Sequence, residues 1–224
     1  MTDQRRERVE AGLTAVLQVE GQEPERHTLA DRMARYAVPG VAVAVVDEGE
    51  IAWAAGHGSR GPGAGAVDAD TLFQAASISK AVAAVAVLAL VEHGVLDLDS
   101  DVNSALRSWR LPDSEHTADR PVTLRHLLSH TAGTTVPGFP GYPVGTPVPT
   151  VPEVLDGRPP ANTPGLESFA APGTVAQYSG GGSTLVQLLV SDVTGRDFAA
   201  LVADLVLRPF GMADSGYLQP LPAD

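Results

Sequence analysis

A run of alanine, valine and leucine from Ala81 to Val91 is the longest apolar stretch of the chain. It is too short to span a bilayer, which takes about 20 apolar residues, so it predicts a buried helix. Gly94 suits the left-handed end of such a helix, and the helix is expected to begin near Ser77. A buried helix requires a surrounding core, which a chain of 224 residues is long enough to provide as one large domain.

Lys80 is the only lysine among the fifteen basic residues, and the others are all arginine. It follows Ser77 by one helical turn, so the two side chains project from the same face. At a helix start, backbone N–H groups and the helix dipole stabilise negative charge on a serine oxygen. A lysine flanked by alanine and valine would be partly desolvated, and its neutral amine would be a general base for the serine.

Arginine cannot lose a proton in this way, so the single lysine favours a catalytic role. The S-x-x-K spacing alone is a weak motif. The alternative is that Ser77 only caps the helix and Lys80 extends to solvent.

The other elements predict a mixed α/β (α+β) fold in a single domain, residues 1–224. Residues 1–68 are expected to hold two helices, 4–19 and 28–36, and a hairpin of strands Val41–Val46 and Ile51–Ala55. Residues 69–224 are predicted to be mainly helical, with helices at 123–130, from Thr150, at 183–193 and at 198–207. A proline-rich loop, 133–173, is typical of a functional surface or lid and equally of a loosely ordered loop.

Composition excludes several classes of function. The net charge of −12 argues against a nucleic-acid or anionic-membrane partner. The chain has no cysteine, which excludes disulfides and thiolate metal sites, and its six histidines lack metal-ligand spacing. We expect no metal and no cofactor. The N-terminus lacks a secretory signal pattern, so a soluble, cytoplasmic protein is expected.

Two short motifs resemble ligand loops without the required context. The sequence GHGSRG, 56–61, matches a dinucleotide pattern, but prolines and glycines follow it in place of a helix, so a plain loop is predicted. The sequence DLDSD, 97–101, starts like a calcium loop but has Val102 at the sixth position and Ser108 at the twelfth. These acids are predicted to cap the helix after Leu98 and to face water.

Several segments occur in an informative order: VPGVAVAVVDEGEIAWAAGHG, TLFQAASISK, LVEHGVLDLDSDV, VTLRHLLSHTAGT, YSGGG and LRPFGM followed by SGY. Together they resemble the serine β-lactamase-like and penicillin-binding-protein superfamily, in its class C-like branch with D-alanyl-D-alanine peptidases, esterases and amidases. The resemblance covers nearly all of the chain from Thr28 onward. It implies a β-lactamase/transpeptidase-like fold, with a helical lobe and an antiparallel sheet. It also implies a serine hydrolase that acts on an ester, amide or D-amino-acid peptide.

The resemblance implies a role for each site residue. Ser77 is the acylated nucleophile and gives its backbone N–H to the oxyanion hole, Lys80 is its proton partner, and Tyr178 is the second acid or base. Ser179 and Gly180 complete the family's Tyr-x-Asn motif and are expected to contact the substrate, a small molecule or peptide. Because Gly180 replaces asparagine, esters, small amides and D-amino-acid peptides are better candidates than β-lactams.

The family's third motif, Lys-Thr-Gly or His-x-Gly on a C-terminal strand, has no match after Tyr178. SHTAG, 129–133, precedes Tyr178 and is interpreted as a structural helix-loop. We therefore expect the N-terminal portion of a longer hydrolase or one half of a split enzyme, with the C-terminal strands of the sheet missing and a C-terminal complement segment as partner. Loss of one oxyanion-hole donor costs roughly 100- to 1,000-fold in rate, so weak activity is expected for this chain alone.

Two other readings of the chain remain. A non-catalytic binding module of the same fold is the main alternative. A nucleotide-binding protein, based on residues 56–61, ranks far below both the serine hydrolase and the binding module.

Overall fold

The computed structural model of the protein describes residues 2–15 and 17–219. The chain divides into two compact units, Met1–Gln74 and Ala75–Asp224. The subdivision predicted at residues 68 and 69 falls just before this boundary.

The first unit is built around a β-hairpin. Its elements are α1 (Thr2–Glu10), β1 (Leu13–Thr14), β2 (Arg26–His27), α2 (Leu29–Arg35), β3 (Gly40–Asp47) and β4 (Glu50–Gly58). Strands β3 and β4 pair antiparallel, with Val45 opposite Trp53, so the predicted hairpin is confirmed. Glu48 and Gly49 turn the chain with positive φ values of 49° and 82°, which two-residue hairpin turns favour.

The helix predicted over residues 4–19 is wrong beyond Glu10. Gly12 has low helix propensity, and the next residues form β1, which pairs with β2. Val16, within the predicted range, lies outside the described residues. Helix α2 is confirmed, and the Thr28 hydroxyl accepts a hydrogen bond from the Asp31 N–H at 3.0 Å as its cap.

Among the described residues of the second unit, the named elements are all helices. Its helices are α3 (Ile78–Glu92), α4 (Val102–Ala105), α5 (Leu124–Leu128), α6 (Val151–Asp156), α7 (Gly180–Thr194) and α8 (Phe198–Val202), which continues as a π-helical turn, Ala203–Leu207. Helix α3 is the predicted apolar helix. Gly94 follows it in the left-handed conformation, with a φ of 70°.

Helix α7 starts earlier than predicted. The sequence favours a start at Ser183, but Ser179 is the cap, and its hydroxyl accepts a hydrogen bond from the Gly182 N–H at 2.8 Å. The glycines that follow Ser179 therefore belong to the helix. Their low helix propensity hid this start in the sequence.

The core of the second unit is one continuous apolar cluster. Helix α3 contributes Ala86, Val87 and Leu90, and α7 contributes Leu185 and Leu189 among others. Side chains from α4, α5, α6, α8 and the connecting loops complete it. The two helices nearest the predicted site are thus held in a common core.

The proline-rich segment is closed at its base by main-chain hydrogen bonds. The Thr135 N–H donates to the Glu167 carbonyl at 2.9 Å, and the Phe169 N–H donates to the Gly133 carbonyl at 2.8 Å. Helix α6 lies within the segment and starts at the predicted capping box of Thr150 and Glu153.

The plain loop predicted over residues 56–61 is wrong at its start, because Gly56, His57 and Gly58 extend strand β4. Residues 59–65 form a loop after β4. In the DLDSD segment, Asp101 caps α4 by accepting the Asn103 N–H at 2.9 Å, and Asp99 pairs with Arg125 at 2.7 Å. Within the residues that the structure describes, no helix is both long and apolar enough to cross a membrane.

Candidate active site

Ser77 and Lys80 meet at the start of α3. Ser77 has helical backbone angles, but its side chain makes no capping hydrogen bond. Instead its Oγ accepts a hydrogen bond from the Lys80 Nζ at 3.1 Å. Ser77 is exposed and Lys80 is half-buried. The sequence alternative, a capping serine with a lysine directed into solvent, does not describe this geometry.

Tyr178 reaches the same oxygen from the segment that precedes α7. Its Oη donates to the Ser77 Oγ at 2.6 Å, although 101 positions separate the two residues in the sequence. The Lys80 Nζ also lies 4.9 Å from the centroid of the Tyr178 ring. The structure therefore brings the three predicted catalytic residues together around one hydroxyl oxygen.

The electrostatics of this cluster favour loss of the phenol proton. Hydrogen bonding to the Lys80 ammonium, with a further contribution from the hydrogen bond to Ser77, lowers the pKa of Tyr178 from its ordinary value. A cation beside a phenol stabilises the phenolate over the phenol. Tyr178 is thereby suited to exchange protons with Ser77.

The backbone N–H of Ser77 is the donor that the family resemblance predicts for an oxyanion hole. It donates no hydrogen bond to any residue in the described ranges 2–15 and 17–219. Ala76, just before it, has a φ of 45°, an unusual value for a residue with a side chain. The N–H is thus available at the start of a long helix, where negative charge is favoured.

Ser179 is predicted to contact substrate, yet the structure gives its side chain interior partners. The residue is only 2% exposed. Its hydroxyl donates to the Thr135 carbonyl at 2.7 Å while it caps α7. Ser179 thus fixes the chain immediately after Tyr178.

Gly180, the other residue predicted to contact substrate, is buried at the first position of α7. Its N–H donates to the Pro137 carbonyl at 3.1 Å. A Cβ at this position would lie 3.1 Å from that carbonyl oxygen and 3.2 Å from a ring carbon of Phe139. The space beside Gly180 is therefore filled by the start of the proline-rich segment.

His130 is a neighbour of the site, although the sequence predicts it only as part of a structural helix-loop. Its ring centroid lies 4.5 Å from that of Tyr178, with the two planes tilted by 39°. Burial, and then the positive charge of Lys80, lower the pKa of His130. The available sequence signal was a histidine at a helix end, where glycine is the usual residue.

Comparisons with known proteins agree with this geometry. A family model described as Beta-lactamase matches residues 26–224. Penicillin-binding protein 4 of Amycolatopsis lactamdurans is 31% identical over 80% of this chain and 44% of its own length. Esterase EstB of Burkholderia gladioli is 33% identical over 82% of this chain and 48% of its own length.

Solved structures show the same fold. A D-amino acid amidase from Ochrobactrum anthropi SV3 superposes with a TM-score of 0.65 and 27% identity, over 83% of this chain and 50% of the amidase. The chain spans about half the length of the curated relatives it matches.

Proposed function

The chain belongs to the beta-lactamase family, and on that premise we propose that it is a serine hydrolase that forms an acyl-enzyme on Ser77. The observation that carries the proposal is the meeting of the Lys80 Nζ and the Tyr178 Oη at the Ser77 Oγ, at 3.1 Å and 2.6 Å. A nucleophilic serine needs a proton acceptor within hydrogen-bond reach, and the Lys80–Tyr178 pair supplies one when Tyr178 is a phenolate beside the Lys80 ammonium.

In the proposed acylation step, the Ser77 Oγ attacks the carbonyl carbon of an ester or amide. The Oγ–C bond forms, the serine proton passes to the Lys80–Tyr178 pair, and the carbonyl oxygen becomes an oxyanion. The Ser77 N–H stabilises that charge. When the tetrahedral intermediate collapses, the bond to the alcohol or amine breaks, and Tyr178 delivers the proton to the leaving group.

In the proposed deacylation step, a water molecule attacks the acyl carbon and gives a proton to Tyr178. The bond between the acyl carbon and the Ser77 Oγ breaks, the serine regains its proton from the pair, and a carboxylic acid leaves. The lowered pKa of Tyr178 suits this role, because the phenolate is available at a lower pH than for an ordinary tyrosine.

The substrate classes that we propose are esters, small amides and D-amino-acid peptides. The relatives named above include an esterase and a D-amino acid amidase. Gly180 offers no side-chain amide to a substrate, and the backbone of Pro137 closes over it. This supports substrates that need no contact with a side-chain amide at position 180, in preference to β-lactams.

The test is a panel of chromogenic substrates: p-nitrophenyl butyrate, D-alanine p-nitroanilide and nitrocefin. We expect turnover of the ester or the anilide that is lost in Ser77→Ala. Ser79→Ala removes a hydroxyl from the same helix and is the matched control that should retain the rate. Equal turnover by Ser77→Ala and the unchanged protein would refute the proposal.

A further inference from the structure

His130 occupies a helix end where the same unit elsewhere uses glycine. It follows the cap of α5 with a φ of 57°. The corresponding left-handed residues after α3, α6 and α7 are Gly94, Gly157 and Gly195, with φ values of 70°, 66° and 67°. A side chain disfavours this conformation. Strained backbone of this kind is a reason to ask what the side chain does.

Three contacts join His130 to three consecutive residues. Its carbonyl accepts the Gln177 N–H at 2.9 Å. Its ring packs beside that of Tyr178, with 4.5 Å between the centroids. Its Nδ1 accepts the Ser179 N–H at 3.3 Å. The contacts are centred on Tyr178, whose main chain is held on both sides and whose ring is supported laterally.

Tyr178 depends on such support because it is 44% exposed. An exposed ring has few packing partners that restrict its rotamer. The Lys80 Nζ lies 4.9 Å from its centroid and the His130 ring at 4.5 Å. The imidazole is therefore one of the groups beside the ring while its Oη reaches Ser77.

The charge state of His130 fits a supporting role. Because Nδ1 accepts a hydrogen bond, the ring proton of the neutral form lies on Nε2. Lys80 and Tyr178 are titratable groups beside the imidazole. A neutral imidazole lies beside the lysine ammonium without repulsion, and it retains the Nδ1 acceptor that a protonated ring would lose.

We infer that His130 is a positioning residue that holds the Tyr178 phenol against the Ser77 Oγ. The inference rests on the proposed role of Tyr178 in proton transfer. A displacement of a reacting group by about 1 Å can reduce a rate roughly 100-fold. Support for the ring from His130 therefore affects the rate although His130 itself does not touch the reacting atoms.

The test compares His130→Gly and His130→Asn with the unchanged chain. Both replacements accept the left-handed backbone, so they remove the ring while keeping the helix end. His116→Gln, in the loop between α4 and α5, is the control for loss of an imidazole. The first readout is the ionisation midpoint of Tyr178 by NMR of tyrosine labelled with ¹³C at Cζ, assigned with Tyr178→Phe. The second is the rate of Ser77 acylation by p-nitrophenyl acetate.

In both His130 variants we expect the midpoint of Tyr178 to move upward toward the ordinary tyrosine value. We also expect the rate of Ser77 acylation to fall about 10- to 100-fold, with a larger change in kcat than in KM. His116→Gln should change neither readout. A purely structural histidine would alter the unfolding temperature and leave the Tyr178 midpoint in place. An unchanged midpoint and rate in both variants would overturn the inference.

The experiment distinguishes a failure of the hydrolase proposal from a failure of the proposed role of His130. If the unchanged chain does not acylate Ser77, the hydrolase proposal fails, and an upward shift of the Tyr178 midpoint in the variants still supports positioning by His130. If Ser77 is acylated equally fast in all variants and the midpoint is constant, the hydrolase stands and the role of His130 is refuted.

Discussion

The two compact units of the chain differ in how their apolar side chains are covered. In the first unit, Trp53, Ala55 and Val67 are the buried apolar residues among those described, and exposed side chains such as Val46 and Ile51 lie on the hairpin. In the second unit, side chains from every helix join one buried cluster. The Ser77, Lys80 and Tyr178 cluster belongs entirely to the well-packed unit.

The packing of the second unit explains how the three side chains of the site are held at short distances. Ser77 and Lys80 lie at one end of α3, and Tyr178 immediately precedes α7. Both helices are fixed by the same core. Distances near 3 Å between groups far apart in sequence require such rigid supports. The hairpin of the first unit, by contrast, has open edges among the described residues, a feature of surfaces that accept further strands.

The largest expected effect is loss of acylation in Lys80→Met. The substitution keeps an apolar stem and removes the amine, so the serine loses one proton partner and the phenol loses its stabilising cation. Proton transfer by a positioned side chain contributes about 10²- to 10⁴-fold, and a rate loss in that range is expected by stopped-flow with p-nitrophenyl acetate. Arg60→Met, in the first unit, is the control. A comparable loss of acylation rate in that variant would contradict the assignment of the site to the second unit.

Truncation of an apolar side chain should lower the free energy of unfolding more in the second unit than in the first. Leu185→Ala, at a fully buried position of α7, should lower the free energy of unfolding by about 2–5 kcal/mol. Val46→Ala, at a strand position that is 64% exposed, should change it by less than about 0.5 kcal/mol. Urea unfolding followed by circular dichroism measures both. Equal losses would show that the hairpin is as tightly packed as the core.

A smaller effect is expected where α7 meets the proline-rich segment. A Cβ at Gly181 would lie 2.6 Å from the Leu166 Cδ1 and 3.0 Å from the Val136 Cβ. Gly181→Ala should therefore destabilise the protein, because overpacking of about 1–3 kcal/mol exceeds a helix-propensity gain of about 1 kcal/mol. Gly138→Ala has no atom within 4 Å of its Cβ position and should be tolerated in the same thermal melt. The reverse order would contradict the packing described.

The smallest expected effect is a difference between the ionisation midpoints of Tyr178 and Tyr217, two tyrosines of the second unit. Hydrogen bonding to Lys80 lowers the pKa of Tyr178, whereas burial raises the pKa of Tyr217. As pH rises, Tyr178 should lose its proton first, and acylation should rise over the same pH range, below the ordinary phenol value of about 10. NMR titration measures both midpoints, with Tyr217→Phe for assignment. Lys80→Met should raise the Tyr178 midpoint only; a Tyr178 midpoint at or above that of Tyr217 contradicts the account.

Local signals in the sequence predicted the parts of the fold that depend on local interactions. The apolar run gave α3, alternating β-branched residues gave the hairpin, and Thr28 and Thr150 marked helix starts through their capping side chains. The single lysine and the serine one helical turn before it predicted the site from the sequence alone. Tyr178 came from the resemblance to a family, since no local rule joins it to Ser77 across the chain.

The sequence did not predict the features that depend on tertiary contacts. Helix α7 begins within a run of glycines because Ser179 caps it and the segment from Thr134 to Phe139 packs against those glycines. The role of His130 depends on a ring contact with Tyr178 that sequence spacing does not show. The predicted first helix was too long because pairing of residues 13–14 with 26–27 competes with helix propensity.

The most direct test of the central claim is mass spectrometry of the chain after reaction with a fluorophosphonate. The serine Oγ would form a bond to phosphorus while fluoride leaves with the serine proton. We predict one adduct on the peptide that contains Ser77, absent from Ser77→Ala and strongly reduced in Lys80→Met and Tyr178→Phe. An adduct on another residue, or equal labelling of Ser77 in the Lys80 and Tyr178 variants, would contradict a nucleophile activated by these two groups.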